Sequence, residues 1–223
     1  MRHIAIRAFG GIAALLTFSG TATAQTKTSA DSTTKASELE HRVQSARRGG
    51  GIRGGAWNLN GATSSGMTTS SMPAFEGYVR TGLDLHLVLE NSVGVSRQRQ
   101  TSSAGGLVGG STSVSNDYVI PQFTSVVFYP FTTPTDRVEP FLRGGIGFAL
   151  GVEDPQDGSG GISLTPGFGT TGGAGVEWRA TQALGIAASA RYQWIRFFQQ
   201  FGAAQTYQGP VIETGITYRF QYR

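Results

Sequence analysis

Apolar and polar residues alternate with a period of two along most of the chain from Ile52 onward. In the clearest stretch, Phe75 and Val79 share one face. Glu76 and Arg80 share the other. Successive side chains of a β-strand point to opposite faces, so this pattern predicts strands with one apolar and one polar face. We predict eight strands, at about 52–62, 74–87, 91–103, 115–130, 137–152, 168–180, 183–198 and 208–222.

The connections between these strands alternate in length. The short ones are predicted at 87–91, 131–136 and 181–182, and the long ones, rich in small and polar residues, at 63–73, 102–114, 153–167 and 199–207. Short turns on one side and long loops on the other are typical of an outer-membrane barrel. The predicted fold is therefore all-β, an eight-stranded antiparallel up-and-down transmembrane β-barrel with both termini on the short-turn side.

The polar faces of these strands carry balanced charge. The predicted charge network of the lumen comprises Glu76, Arg80, Asp84, Glu139, Arg143, Glu177, Arg179, Arg191, Glu213 and Arg219. An eight-stranded barrel has an interior just wide enough for side chains to fill it. Isolated buried charges are costly there, whereas arginine and glutamate pair well. We expect a filled lumen rather than an open pore.

The N-terminus predicts export. Arg2 and Arg7 precede a short apolar run, Ala8–Phe18, and Thr21–Ala24 supplies small residues before a cleavage point at Gln25. This order is that of a secretory signal peptide. The predicted organisation is a signal peptide at 1–24, a flexible periplasmic segment at 25–50 and a barrel at 51–223. Within the middle segment, 37–48 fits either a short capped helix or a linker.

Composition excludes several other classes. The chain has 18 Lys and Arg against 14 Asp and Glu, and removal of the signal peptide takes away Arg2 and Arg7. The remaining charge is close to neutral and forms no basic stripe, so nucleic acid is not an expected partner. The chain has no cysteine, which excludes disulfides and a lipid anchor at the cleavage point.

Four stretches resemble the small OmpA/OmpX-like outer-membrane β-barrel family. They are the glycine- and aromatic-rich segments 138–148, 173–179, 189–192 and 215–220. The resemblance implies outer-membrane location, contact with outer-membrane lipids, assembly by the barrel insertion machinery, and roles from envelope integrity to adhesion and small-solute passage. Gly215, Tyr218 and Phe220 resemble the family's C-terminal insertion signal, although the family usually ends on the aromatic residue and here 221–223 follow.

The same alternation also fits a soluble lipocalin-like barrel, in which the apolar face lines a ligand pocket. A narrow channel for ions or small solutes is a further alternative. Catalysis is not expected, because the exported part of the chain offers only His41 and His86, the latter in an Asp-x-His pair with Asp84. Asp154 and Asp157 lack the spacing of a calcium-binding loop. We therefore expect a non-enzymatic monomer without metal or cofactor.

Overall fold

Consecutive antiparallel strands close on themselves into one barrel. The computed structural model describes residues 47–59, 71–103, 112–131, 137–155, 161–202 and 204–220. The strands are β1 (Gly49–Asn58), β2 (Ser71–Gly82), β3 (Leu87–Ser103), β4 (Thr112–Phe128), β5 (Val138–Pro155), β6 (Ser163–Arg179), β7 (Leu184–Phe201) and β8 (Ala204–Arg219). Each strand pairs with the next, and β8 pairs with β1. The predicted eight-stranded antiparallel barrel is confirmed.

The faces of the strands are those that the alternation predicts. On β8, Ile216 is 54% exposed on the outer surface, whereas Glu213 is only 4% exposed and lies inside. On β2, Phe75 points outward and Arg80 is buried within the barrel. The polar face therefore lines the lumen, because a closed sheet this narrow hides every inward side chain from solvent.

One end of the barrel holds both ends of the described chain. The backbone N–H of Phe220 donates to the carbonyl of Arg48, and Gly49 pairs with both Arg80 and Arg219. Residues 83–86, 129–131, 137 and 180–183 lie at this same end, which we call the short-turn end. The opposite end, where β1 meets β2, is called the loop end.

The first short turn lies earlier than predicted. Residues 83–86 connect β2 to β3, so the predicted strand to residue 87 and turn at 87–91 were wrong. The Asp84 carboxylate causes the difference, since it accepts hydrogen bonds from the backbone N–H groups of His86 and Leu87 at 2.6 and 2.7 Å. These two donors also hold the pKa of Asp84 below its usual range. This capping interaction is present at neutral pH and is lost as the pH falls through the lowered pKa.

The connection between β7 and β8 is also shorter than predicted. Instead of a loop over 199–207, β7 continues to Phe201 and β8 begins at Ala204. Gly202 has a φ of 55°, the left-handed conformation that a tight hairpin needs and glycine adopts readily. Polar residues suggested a loop here, but Gln199 and Gln205 are exposed to solvent and are compatible with a strand.

The lumen also contains apolar layers that the alternation did not predict. β4 has apolar residues on both faces, and the structure places Val119, Phe123 and Val127 inside. Val126 and Phe128 point outward. The barrel interior therefore consists of charged and apolar layers, which together position the candidate site.

Candidate functional site in the lumen

Glu90 is the centre of the charged layer. Its carboxylate is fully buried and accepts charged hydrogen bonds from Arg53 at 2.8 Å, Arg80 at 2.7 Å and Arg143 at 3.0 Å. The arginines come from β1, β2 and β5, so one carboxylate joins strands from across the barrel. Charge-assisted hydrogen bonds of this kind are about twice as strong as neutral ones.

Two further glutamates complete this layer. Glu76 pairs with Arg53 and Arg191. Glu213 lies 2.7 Å from Arg143 and 3.2 Å from both Arg53 and Arg191. Arg143 and Arg191 each bridge two carboxylates and Arg53 bridges three, so the charges compensate one another in the water-poor interior.

A second group of ion pairs lies toward the short-turn end. Glu177 accepts hydrogen bonds from Arg80 at 2.8 Å and Arg219 at 2.5 Å. Glu139 forms a two-bond pair with Arg179 and a longer contact of 3.4 Å with Arg219. Because Arg80 contacts both Glu90 and Glu177, the two groups are continuous. We call the connected set the ion network: Arg53, Glu76, Arg80, Glu90, Glu139, Arg143, Glu177, Arg179, Arg191, Glu213 and Arg219.

The structure brings nearly all of the predicted charges together, with one exception. The exception is Asp84, which lies in the β2–β3 turn and caps its backbone instead of facing the network. Its prediction as a lumen residue was wrong because β2 ends at Gly82.

Sequence reasoning missed two members of the ion network, Arg53 and Glu90. Arg53 lies on β1, whose many glycines weaken the alternation. Glu90 was assigned to a turn. A turn placed at Asp84 would have put Glu90 near the start of β3. It would then share a face with Ser92 and Ser96, and this alternation could have identified Glu90 as a lumen residue.

An apolar plug fills the lumen toward the loop end. The aromatic rings of Phe197 and Phe201 lie 4.6 Å apart, and Tyr207 packs edge-on against Phe197 at 5.6 Å. We call this cluster the apolar plug; it consists of Trp57, Leu59, Met72, Val119, Phe123, Ala149, Ile195, Phe197, Phe201, Ala204, Tyr207 and Val211. Its side chains are more than nine-tenths buried, so this layer excludes water from the ion network below it.

The β7–β8 hairpin folds inward over this plug. Its register is irregular between Arg196 and Phe201, and such a bulge bends the strand. The N–H of Gly202 donates to the Glu153 carboxylate on β5. Phe201 packs against Gly151, where an added Cβ would come within 2.5 Å of the ring. The hairpin therefore covers part of the mouth at the loop end.

Gly151→Val is expected to displace Phe201 from the plug. The new side chain would overlap the aromatic ring, and overpacking of this kind costs about 1–3 kcal/mol. Urea unfolding of the protein in lipid vesicles measures the loss. Gly144→Val is the matched control, because no atom lies within 4 Å of a Cβ at Gly144. Equal stability of the two variants would contradict the packing of the hairpin over the plug.

A smaller apolar cluster lies at the short-turn end. It consists of Val88, Val127, Tyr129 and Phe141. The hydroxyl of Tyr129 donates to Glu177 at 3.3 Å and accepts from Arg80 at the same distance. Direct contacts thus run from this cluster into the ion network.

His86 is not arranged for catalysis by the predicted Asp-x-His pair. Its imidazole Nδ1–H donates to the carbonyl of Tyr129 at 2.8 Å, while Asp84 accepts from its backbone N–H. The aspartate therefore does not orient the ring. Within the described ranges, no three His, Cys, Asp or Glu side chains are grouped to hold a metal ion. His41 and Asp157 lie outside the described residues.

The outer surface of the barrel carries a belt of apolar side chains. Large side chains exposed there include Ile52, Phe75, Val79, Leu142, Ile146, Phe148, Ile212 and Ile216. Aromatic residues lie at the two edges of the belt. Phe168 packs against Trp194 and Phe198 near the loop end. Trp178 lies near the short-turn end. Phe168 and Trp178 lie ten residues apart on β6, a height of about 25 Å for a strand tilted by about 40°.

Comparison with solved structures shows which fold this is. Neisserial surface protein A (NspA) superimposes with a TM-score of 0.55 at 14% identity, covering 78% of this chain and 97% of that one. The chain has the fold of small outer-membrane β-barrels. The outer membrane protein OprG from Pseudomonas aeruginosa gives a TM-score of 0.52 at 13% identity, covering 79% of this chain and 97% of that chain.

Sequence comparison adds nothing to this fold assignment. No protein-family model matches the chain, and no curated protein does. In the part of the chain that the structure describes, no helix has the length and hydropathy to cross a membrane.

Proposed function

We propose that this protein is a non-enzymatic monomeric barrel of a bacterial outer membrane whose lumen is closed and whose role is structural or surface-interacting. The observation that carries the proposal is the distribution of side chains in the closed barrel. Apolar residues cover the outside, and paired charges together with the apolar plug fill the inside. Lipid favours this arrangement because a closed sheet leaves no backbone group unpaired in the hydrocarbon layer.

The orientation of the faces argues against a soluble ligand-binding barrel. Such a barrel has its charges outside and its apolar face inside. Here Ile146 and Phe148, among the most exposed apolar side chains, are 71% and 73% exposed on the outer surface. A protein with this belt in water would expose a large apolar patch, which soluble monomers rarely do.

The layers of the lumen favour a closed barrel over a narrow channel. An ion passing along the axis would have to separate Glu90 from three arginines at 2.7–3.0 Å. It would then have to displace the aromatic rings of the apolar plug. Both steps cost several kcal/mol, since buried charges lose their partners and packed rings lose their contacts.

We infer the direction of insertion from the positions of the short turns. The short-turn end, where β1 begins and β8 ends, is assigned to the periplasm, and the β7–β8 hairpin to the outside. Residues such as Gln199 and Gln205 are then available to partners at the cell surface. A role in surface interaction rests on this placement.

Export and assembly stay predictions. The signal peptide at 1–24 and most of the segment 25–50 lie outside the described residues, while β1 begins at Gly49, two residues before the predicted barrel. Tyr218 and Phe220 are exposed on the outer face with their rings 5.8 Å apart. This position agrees with their proposed use as a signal for the insertion machinery, together with Gly215.

Heat-modifiability of the protein in the washed outer-membrane fraction tests this proposal. A closed barrel resists detergent, so the unheated sample should migrate faster in gel electrophoresis than the boiled sample. Recovery from the soluble periplasmic fraction with no mobility shift would contradict it and would favour the lipocalin-like alternative.

A further inference from the structure

The outer wall of the barrel carries a groove that crosses five strands, from β7 through β8, β1 and β2 to β3. Its volume is about 800 Å³, and it opens to the surroundings of the barrel. We call it the wall groove; the large outward side chains that border it are Ile52, Phe75, Val93, Val95, Ile186 and Ile216. Binding sites for small molecules have volumes of about 300–1,000 Å³, so the wall groove has room for a ligand.

The wall groove follows one row of directly opposed residues. In register across the five strands, these are Ile186, Ile216, Ile52, Gly77 and Val93. Neighbouring strands lie about 4.8 Å apart, so the four intervals of the row give a length of about 19 Å. This length suits an extended, chain-shaped ligand.

Two glycines shape the wall groove. Gly77 interrupts the row of large residues, and no atom lies within 4 Å of a Cβ placed there. Gly54 lies opposite Phe75 in the next row, and the Phe75 ring comes within 3.1 Å of a Cβ placed at Gly54. One glycine therefore leaves the floor of the groove open, and the other accommodates the aromatic ring at its border.

The lining of the wall groove selects an apolar ligand. Arg53 and Glu76 belong to the lining, but their charged groups pair with each other inside the lumen. Thr214 supplies a hydroxyl, and the other side chains of the lining are hydrocarbon. The groove is also continuous with the apolar belt that faces the membrane, so the lipid of the bilayer is the apolar material next to it.

The shape of the wall groove favours a lipid chain over a second barrel. A closed barrel is convex around its axis, so a second copy would rest on protruding side chains such as Ile52 and Phe75. The floor at Gly77 would then stay empty and lose its dispersion contacts. A single flexible hydrocarbon chain reaches the floor and both borders.

We propose that the wall groove binds one acyl chain of a lipid in the surrounding bilayer. The chain lies along the row from Val93 to Ile186 and passes over Gly77. This face of the barrel then retains a lipid for longer than the rest of the belt does. The inference rests on the lipid-facing belt of the proposed function and adds a defined lipid site to it.

Photo-cross-linking in vesicles tests this proposal on the unmodified protein. The probe is a phosphatidylcholine with a diazirine near the end of one acyl chain, added as a minor component to phosphatidylcholine vesicles, and mass spectrometry locates the adducts. Ile52 and Ile146 are compared, because they are the same residue type and are 69% and 71% exposed. Adducts at Ile52, in the groove, should be several-fold more frequent than adducts at Ile146, on β5.

The two ways in which this experiment can fail are distinguishable. Equal adduct frequencies at Ile52 and Ile146 would overturn the lipid site and leave the lipid-facing belt in place. The absence of adducts at both residues would contradict the belt itself, and with it the proposed function.

Two glycine variants assign the effect to the wall groove. Gly77→Leu fills the floor and should reduce the adducts at Ile216, which lies two strands from position 77 and is not directly shielded by the new side chain. Gly144→Leu is the matched control, since Gly144 is exposed on β5 and no atom lies within 4 Å of a Cβ there. Adducts at Ile216 that are unchanged in Gly77→Leu would overturn the assignment.

Analytical ultracentrifugation in detergent tests for a second copy in the wall groove. The unmodified protein and Gly77→Leu are both expected to sediment as monomers. A dimer of the unmodified protein that Gly77→Leu dissociates would assign the groove to a second barrel and overturn the proposal.

Discussion

Glu90→Gln is expected to destabilise the folded barrel by about 3–5 kcal/mol. The change keeps the size of the side chain but removes the negative charge that Arg53, Arg80 and Arg143 share at 2.7–3.0 Å. Glu90 is fully buried, so little water can replace it. Urea unfolding of the protein folded into lipid vesicles measures the loss.

Two further variants test whether the loss of stability is specific to the ion network. Glu153→Gln is the matched control, since Glu153 lies outside the ion network and a glutamine oxygen can still accept from Gly202. Arg143→Gln combined with Glu90→Gln should cost less than the sum of the single changes, because residues of one network are coupled. Strict additivity, or a Glu90→Gln loss no larger than that of the control, would contradict the network's structural role.

Ile146→Arg is expected to have the second-largest effect, a loss of about 2–4 kcal/mol. Ile146 is 71% exposed and lies near the middle of the outward positions of β5. An arginine there has to enter the hydrocarbon layer if the belt is embedded in lipid. The fraction of protein that folds into vesicles, and its unfolding in urea, report this cost.

The same substitution discriminates between lipid and water as the surroundings of the belt. A surface change in water is usually worth no more than about 0.5 kcal/mol. Gln182→Arg supplies the control, because Gln182 is exposed in the turn between β6 and β7 at the short-turn end. If Ile146→Arg were as mild as Gln182→Arg, the belt would not face lipid.

The fold could be predicted from the sequence because the physical signal is repeated along the chain. Residues such as Phe75, Glu76 and Ile216 obey the same two-residue period, and a closed barrel satisfies it on all the strands that show it. The turns were harder to predict from the sequence. The β2–β3 turn depends on one carboxylate, that of Asp84, and the β7–β8 hairpin depends on the left-handed conformation of Gly202.

The interior could be predicted only in part. Arginines and glutamates on clearly alternating strands were found, because the charged residues of such a strand all lie on one face. The apolar plug was missed, since Trp57 and Phe123 lie on strands where both faces carry similar residues. Which side of such a strand faces inward depends on closure of the barrel, and no local pattern contains that information.

Conductance in planar bilayers tests the central claim, a barrel in lipid with a closed lumen. Protein whose folding has been verified by its heat-dependent mobility is added to the bilayer, beside an open porin as a positive control. We predict no reproducible current steps from this protein while the porin conducts. Stable unitary conductance of constant size would contradict the closed lumen and would establish the narrow-channel alternative.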